Sequence, residues 1–167
     1  MEVSLLEIDN DLAQTLAEDP RACESRYGVC LGENAELIRQ VIEQTLVLFK
    51  AVPRSTPWGG YLAVDEDTKN VVGTCGLKAG PDSDGVIEMA YFTFPSFEGC
   101  GIATAMAGLL IELARSSHEV REVVAHTLPE RNASTRVLEK VGMERFGKVI
   151  HPEDGPVWRW SRSAISR

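Results

Sequence analysis

Between Asn34 and Val52 the side chains of Leu37, Val41, Ile42, Thr45, Leu46 and Phe49 recur at the spacing of one helical face. Asn34 is placed to cap this helix and Pro53 to end it. A second run, Cys100 to about Ser116, repeats the pattern with Ile102, Met106, Leu109, Leu110 and Leu113. Shorter helices are predicted from Asp11 to about Ala17, after Asp9 and Asn10 and before Pro20, and over Asn132–Val141, before Gly142. The remaining apolar runs are too short for helices and are bounded by turn residues. Strands are therefore predicted at Val3–Ile8, Tyr61–Val64, Val71–Leu77, Val86–Phe94, Val120–Thr127, Glu144–Ile150 and Val157–Ser161. The stretch after Pro20 reads as polar and irregular, and Arg54–Gly60 as a loop carrying Trp58.

The turns Asp65–Asn70 and Ala79–Gly85 are too short for crossovers, so the three strands they join should be antiparallel. The strand–helix–strand unit that follows requires a parallel crossover. The expected class is α+β, in one domain spanning residues 1–167, because that length suits a single core and no linker, repeat or low-complexity tract divides it.

Charge narrows the function. A formal net charge of −8 opposes non-specific nucleic-acid binding, which relies on Lys and Arg neutralising phosphates. It suits a cationic acceptor, although acidity also serves solubility alone. No apolar run reaches the ~18–20 residues needed to span a bilayer, and Glu2 and Glu7 do not suit a signal peptide. No membrane association and a cytoplasmic location are expected. Cys23, Cys30, Cys75 and Cys100 show neither C-x-x-C spacing nor histidines at zinc-ligand intervals, so reduced thiols and no metal are expected.

The segment richest in chemistry is Val86–Met106, where a strand runs through Pro95 into a loop whose glycines open a long helix. Such a loop aims unpaired N–H groups along the positive end of the helix dipole and can seat a phosphate or pyrophosphate. Gly99 and Gly101 allow close backbone approach, and Thr104 adds a hydroxyl. A loop that merely caps its helix is the alternative. A Walker loop is excluded by the missing Gly-Lys-Ser/Thr, and a Rossmann fingerprint by Pro95–Glu98 between strand and glycines.

Glu98-Gly99-Cys100-Gly101-Ile102-Ala103 resembles the acetyl-CoA signature of GNAT acetyltransferases, Gln/Arg-x-x-Gly-x-Gly/Ala, with Glu in first place. Ala133 to Met143 resembles the Ala-Ser-x-Arg-Val-Leu-Glu-Lys-x-Gly-Phe element of the branch that acetylates ribosomal-protein N-termini at serine or alanine. The likeness covers about residues 60–161. It implies a mixed, mostly antiparallel sheet, splayed at the cofactor site and flanked by helices. It also implies direct transfer of acetyl from acetyl-CoA to a primary amine, a small molecule or a protein N-terminus, through a tetrahedral intermediate. Pantetheine contacts would fall on Tyr91, Phe92 and Thr93, with a backbone N–H near Phe92 as oxyanion donor. The pyrophosphate would rest on Gly99, Cys100, Gly101, Ile102, Ala103 and Thr104.

Glu88 is the candidate base, on the strand feeding the loop, among apolar neighbours expected to raise its pKa; a solvated or salt-bridged carboxylate is the other reading. Leu138 stands where many relatives carry an acid tyrosine, so Ser134 becomes the candidate acid or a contact of the CoA sulfur, unless it only begins a helix. Arg131 or Asn132 is the candidate for the family's CoA contact, with an N-cap role the alternative for Asn132. His126 and Trp58 are candidates for the acceptor site, with a structural histidine the alternative for the first. Trp158 and Trp160 are expected to pack in the core or hairpin, and Cys100 to be passive. A catalytically degenerate CoA-binding sensor or scaffold remains the competing function. Exposed edges at the C-terminal hairpin make a homodimer plausible.

Overall fold

The computed structural model describes residues 1–53 and 55–165; Arg54, the first residue of the predicted loop, lies outside the described residues. One sheet holds seven strands: β1 (Val3–Glu7), β2 (Gly60–Asp65), β3 (Val71–Leu77), β4 (Val86–Thr93), β5 (Glu122–Thr127), β6 (Glu144–His151) and β7 (Gly155–Ser163). Their order is β1-β2-β3-β4-β5-β7-β6. The pairing is antiparallel except between β4 and β5. The α+β class and the mixed, mostly antiparallel sheet are thus as the sequence implies.

Helices cover both faces. α1 (Asn10–Glu18), α2 (Pro20–Tyr27) and α3 (Ala35–Ala51) pack on one, where Leu12, Leu16, Ile38 and Ile42 meet Leu62, Val64 and Phe94. α4 (Ile102–Arg115) covers the other, pressing Ile102, Met106, Leu110 and Ile111 onto Ile87, Met89 and Val123. α5 (Ala133–Lys140) joins that second core through Leu138. No helix among the described residues is long and apolar enough to cross a membrane.

α2 was not expected. Its residues are polar and only Cys23 is buried, so hydrophobic periodicity does not announce it. Pro20 ends α1 and also begins α2, where a missing N–H costs nothing, and the Asp19 carboxylate accepts from the N–H of Arg21. Asn34 precedes α3 without a side-chain capping bond, because a short 3-10 turn, Gly32–Asn34, leads directly into that helix.

The strand pair β4–β5 sets up the site. The two are paired only over Val86–Glu88 and Glu122–Val124, yet β4 runs on to Thr93 and β5 to Thr127. Past Glu88, β4 stays with β3 and β5 stays with β7, so the two strands part.

Trp160 is buried on β7, donating from its indole N–H to Thr127 Oγ1 at 3.0 Å, and Trp158 lies under the Arg145 guanidinium at 4.3 Å. Outer strand β6 leaves Phe146 and Ile150 exposed.

Candidate active site

The alternation of an antiparallel ladder decides which β4 groups face the gap. Phe94 donates to the Val72 carbonyl, and Lys78 donates to the Glu88 carbonyl, so even-numbered β4 residues bond β3. By the same alternation Phe92 turns its N–H to β3, while Tyr91 and Thr93 turn theirs towards the gap. Of the backbone N–H groups near Phe92, those of its two neighbours are therefore the ones open to the gap.

A groove of about 440 Å³ fills this gap. Tyr91, Phe92 and Thr93 form one wall, Gly99, Gly101, Ile102, Ala103 and Thr104 its end, and Ser134, Arg136 and Lys140 of α5 the opposite wall. Gly101 precedes α4 with φ +81° and no side-chain cap, which leaves the first N–H groups of that helix without intrahelical partners. Gly99 has φ +78°. Both angles lie where side-chain-bearing residues are strained, so these glycines hold the loop's shape. Cys100 is not among the lining residues; it is exposed, and its thiol points at the Glu98 carbonyl, 3.7 Å away.

Two features suit a polyphosphate cofactor with a polar arm. Thr93 Oγ1 is a buried side-chain oxygen without a hydrogen-bond partner, and it borders the groove. Orphaned polar atoms are costly, and a polar group entering the groove can satisfy this one. Arg136 and Lys140 give cationic lining in a chain of net charge −8. Sequence reasoning passed over these two, because surface helices routinely carry Arg and Lys and only the docking of α5 aims them at the gap.

At the fork of the strands lies a charged cluster. Glu88 Oε1 is 2.8 Å from Lys78 Nζ, 2.8 Å from His126 Nδ1 and 3.5 Å from His151 Nε2. The rings of His126 and His151 are 4.8 Å apart, and their side chains are only 13% and 10% exposed. An ionised carboxylate only accepts, so the neutral form of the His126 ring carries its hydrogen on Nδ1 and leaves Nε2 as an acceptor. Two backbone N–H groups, of Glu153 and Asp154, point at His151 Nδ1, which places that ring's hydrogen on Nε2, towards Glu88. Asp154 Oδ2 lies 3.3 Å from the same Nδ1 and pulls the other way; two donors outweigh it.

The expected rise in the Glu88 pKa is corrected here. Burial does push the carboxyl up, but the hydrogen bonds and charges of Lys78 and His126 outweigh it and hold Glu88 below its ordinary value. Lys78 and His151 were invisible as site residues: one lies just past the end of β3, the other at the end of β6, and neither belongs to a motif. Glu88, His126 and His151 have donor atoms within 4.8 Å of one another, the spacing of a metal-ligand set. The Lys78 ammonium already occupies a cation's place on the same carboxylate oxygen.

Tyr91 links the two regions. It borders the groove and also a smaller cavity of about 110 Å³ shared with Glu88, His126 and Ser134. Its hydroxyl lies 3.5 Å from the Ser134 carbonyl, and burial pushes its pKa up to about 12. Asn132 is committed locally. Its side chain accepts from the Thr135 N–H at 3.1 Å, while Thr135 Oγ1 accepts from the Asn132 N–H at 3.0 Å. Arg131 is exposed and 3.8 Å from Glu139. Trp58 packs, half-buried, against the core beside the Gly80 turn.

Residues 4–144 match the acetyltransferase (GNAT) domain family. A curated Bacillus subtilis protein, the uncharacterized N-acetyltransferase YjdG, is 30% identical over 82 residues, which span 49% of either chain. The chain thus covers about half the length of that relative. Among solved structures, a putative ribosomal-protein-serine acetyltransferase from Vibrio cholerae superimposes with TM-score 0.68 at 16% identity, over 98% of this chain and 94% of its own. A ribosomal-protein α-N-acetyltransferase in complex with coenzyme A gives TM-score 0.64 at 16% identity, over 98% and 94%. At such identities the likeness is one of fold.

Proposed function

Because the chain belongs to the GNAT acetyltransferase family, we propose that it moves the acetyl group of acetyl-CoA to a primary amine, either a small molecule or a protein N-terminus. Acetyl-CoA supplies the acetyl group as a thioester. The observation that carries the reading is the groove at the β4–β5 fork, with its orphaned Thr93 hydroxyl, uncapped α4 start and cationic α5 wall. The neighbour solved with coenzyme A supports the same ligand here.

In this reading the N–H groups of Ile102, Ala103 and Thr104, approached past Gly99 and Gly101, hold the pyrophosphate, and Arg136 and Lys140 the remaining phosphate. The gap-facing backbone of Tyr91 and Thr93 aligns the pantetheine arm. One of its N–H groups takes the charge that develops on the carbonyl oxygen as the amine attacks. The amine must lose a proton. His126 Nε2 accepts it, and Glu88, ionised and pinned by Lys78, orients the ring and stabilises the imidazolium. Glu88, the candidate base by sequence, becomes the group behind the base. The departing thiolate takes its proton from the hydroxyl of Tyr91 or of Ser134.

Leu138 favours a second reading, CoA binding without turnover, since it is fully buried and brings no hydroxyl to the site. Titration calorimetry with acetyl-CoA, on the wild type and on Gly101→Glu, tests the cofactor. Micromolar binding lost in the variant supports the groove as its seat; no binding by folded wild type removes the assignment. Acetyl transfer to any amine then decides between enzyme and sensor.

A further inference from the structure

The face of the sheet under α3 carries a second cavity, of about 350 Å³, within the range of small-molecule sites. Its floor is made small by Gly76 and Ala90, and its walls are Leu48 and Phe49 of α3, Val52 just past the end of that helix, and Phe92 of β4. Three of these side chains stand open to solvent: Leu48 is 59% exposed, Val52 48% and Phe92 46%. Large apolar groups converging on one concavity without covering one another mark a surface meant for an apolar ligand.

Strand alternation ties this cavity to the charged cluster. Glu88, Ala90 and Phe92 project from the same face of β4, so the cavity floor leads along the strand to Glu88. Lys78, Ala90 and Tyr91 border both this cavity and the small one at Glu88 and His126. A molecule lying in the cavity therefore has one end at the proposed reacting point.

The charges at the two ends select the molecule. The Lys78 ammonium at the inner end is paired with Glu88 Oε1 at 2.8 Å, so this end offers no unpaired carboxylate to hold a second ammonium on the ligand. The Glu88 carboxylate beside it is already paired with Lys78 and His126. Among the described residues Glu153 is the one carboxylate on the cavity wall itself, and it lies on the β6–β7 turn. A lining with one acid among the described residues gives no row of acids for a polyamine. We propose that the acceptor is a monoamine with an uncharged, apolar body, which fills this cavity while its nitrogen lies at the Glu88–His126 end. This rests on the transferase reading above.

The test is a series of n-butyl-, n-hexyl- and n-octylamine, with spermidine as the contrasting amine. Each is measured for binding to CoA-saturated protein by calorimetry and for kcat/KM with acetyl-CoA. Burial of a methylene predicts about fourfold tighter binding per added CH₂ until the cavity is full. Leu48→Asp and, independently, Val52→Asp should flatten that slope while acetyl-CoA affinity stays at the wild-type value; both positions are exposed, so folding is not at stake. A flat series, or spermidine bound more tightly than octylamine, overturns the proposal even where acetyl-CoA binds. Failure of acetyl-CoA itself to bind would instead remove the transferase reading, and this inference with it.

Discussion

His126 Nδ1 lies 2.8 Å from Glu88 Oε1, spanning two strands that have just stopped pairing. Glu88 is the last β4 residue in register with β5, opposite Val124, and His126 follows two positions later on β5. One side-chain bond thus bridges the start of the gap where the backbone ladder ends. In the proposed transfer it makes His126 Nε2, in place of the Glu88 carboxylate, the acceptor of the amine proton.

If that imidazole takes the amine proton, His126→Asn should lower kcat by about 10²- to 10⁴-fold and leave acetyl-CoA affinity intact. Glu88→Gln should lower kcat less and shift the pH–rate profile, because it acts through the ring. Steady-state kinetics over a range of pH checks both. Wild-type kcat in His126→Asn would exclude the role.

Acid should weaken the fold through Glu88. Burial raises its pKa, but Lys78 and His126 outweigh that and leave it lowered. A lowered folded-state value gives stability that is complete above the ordinary carboxylate pKa, near 4.5, and is lost as pH falls through the lower native value. Lys78→Met removes one counter-charge and moves the native value back up, so its acid-dependent loss of stability should be smaller than in the wild type and end at a higher pH. The partly exposed pair suggests about 1 kcal/mol at neutral pH. Urea midpoints at several pH values give the answer.

Asn132→Ala removes a reciprocal cap and should cost about 1 kcal/mol of stability, seen as a lower Tm. Its acetyl-CoA affinity should be unchanged, since the side chain is spent on Thr135. A large affinity loss at unchanged Tm would show that Asn132 serves the cofactor instead.

In the proposed transfer two hydroxyls are candidates to protonate the thiolate. Tyr91 keeps its proton at neutral pH, with a pKa pushed up to about 12 by burial, and its hydroxyl faces α5. Tyr91→Phe should therefore reduce kcat by at least about tenfold, more than Ser134→Ala, without raising the KM for acetyl-CoA. The reverse order would assign the proton to Ser134.

Much was legible in the chain itself. The periodicities of α3 and α4, the meander β2–β4 and the single parallel pairing follow from local spacing, because which face of an element is apolar depends only on neighbours in sequence. The glycines at Gly99 and Gly101 could be read for the same reason: the need for positive φ is a property of one residue. α2 escaped because its eight residues bury only Cys23, and a helix held by Asp19, Pro20 and Gly28 leaves little hydrophobic trace. The charged cluster escaped for a deeper reason. Lys78, Glu88, His126 and His151 come from the ends or middles of different strands, and only the order β3-β4-β5-β7-β6 brings them together. The sign of the Glu88 shift depended on that assembly: sequence neighbours predict burial, but the ammonium and imidazole that reverse its effect come from adjacent strands. The amino-acid sequence by itself determined most of the elements, the family and the glycine loop that opens α4. The tertiary structure alone decided which charges meet at the fork and which apolar side chains stay open beside it, because both depend on distances between residues far apart in the chain.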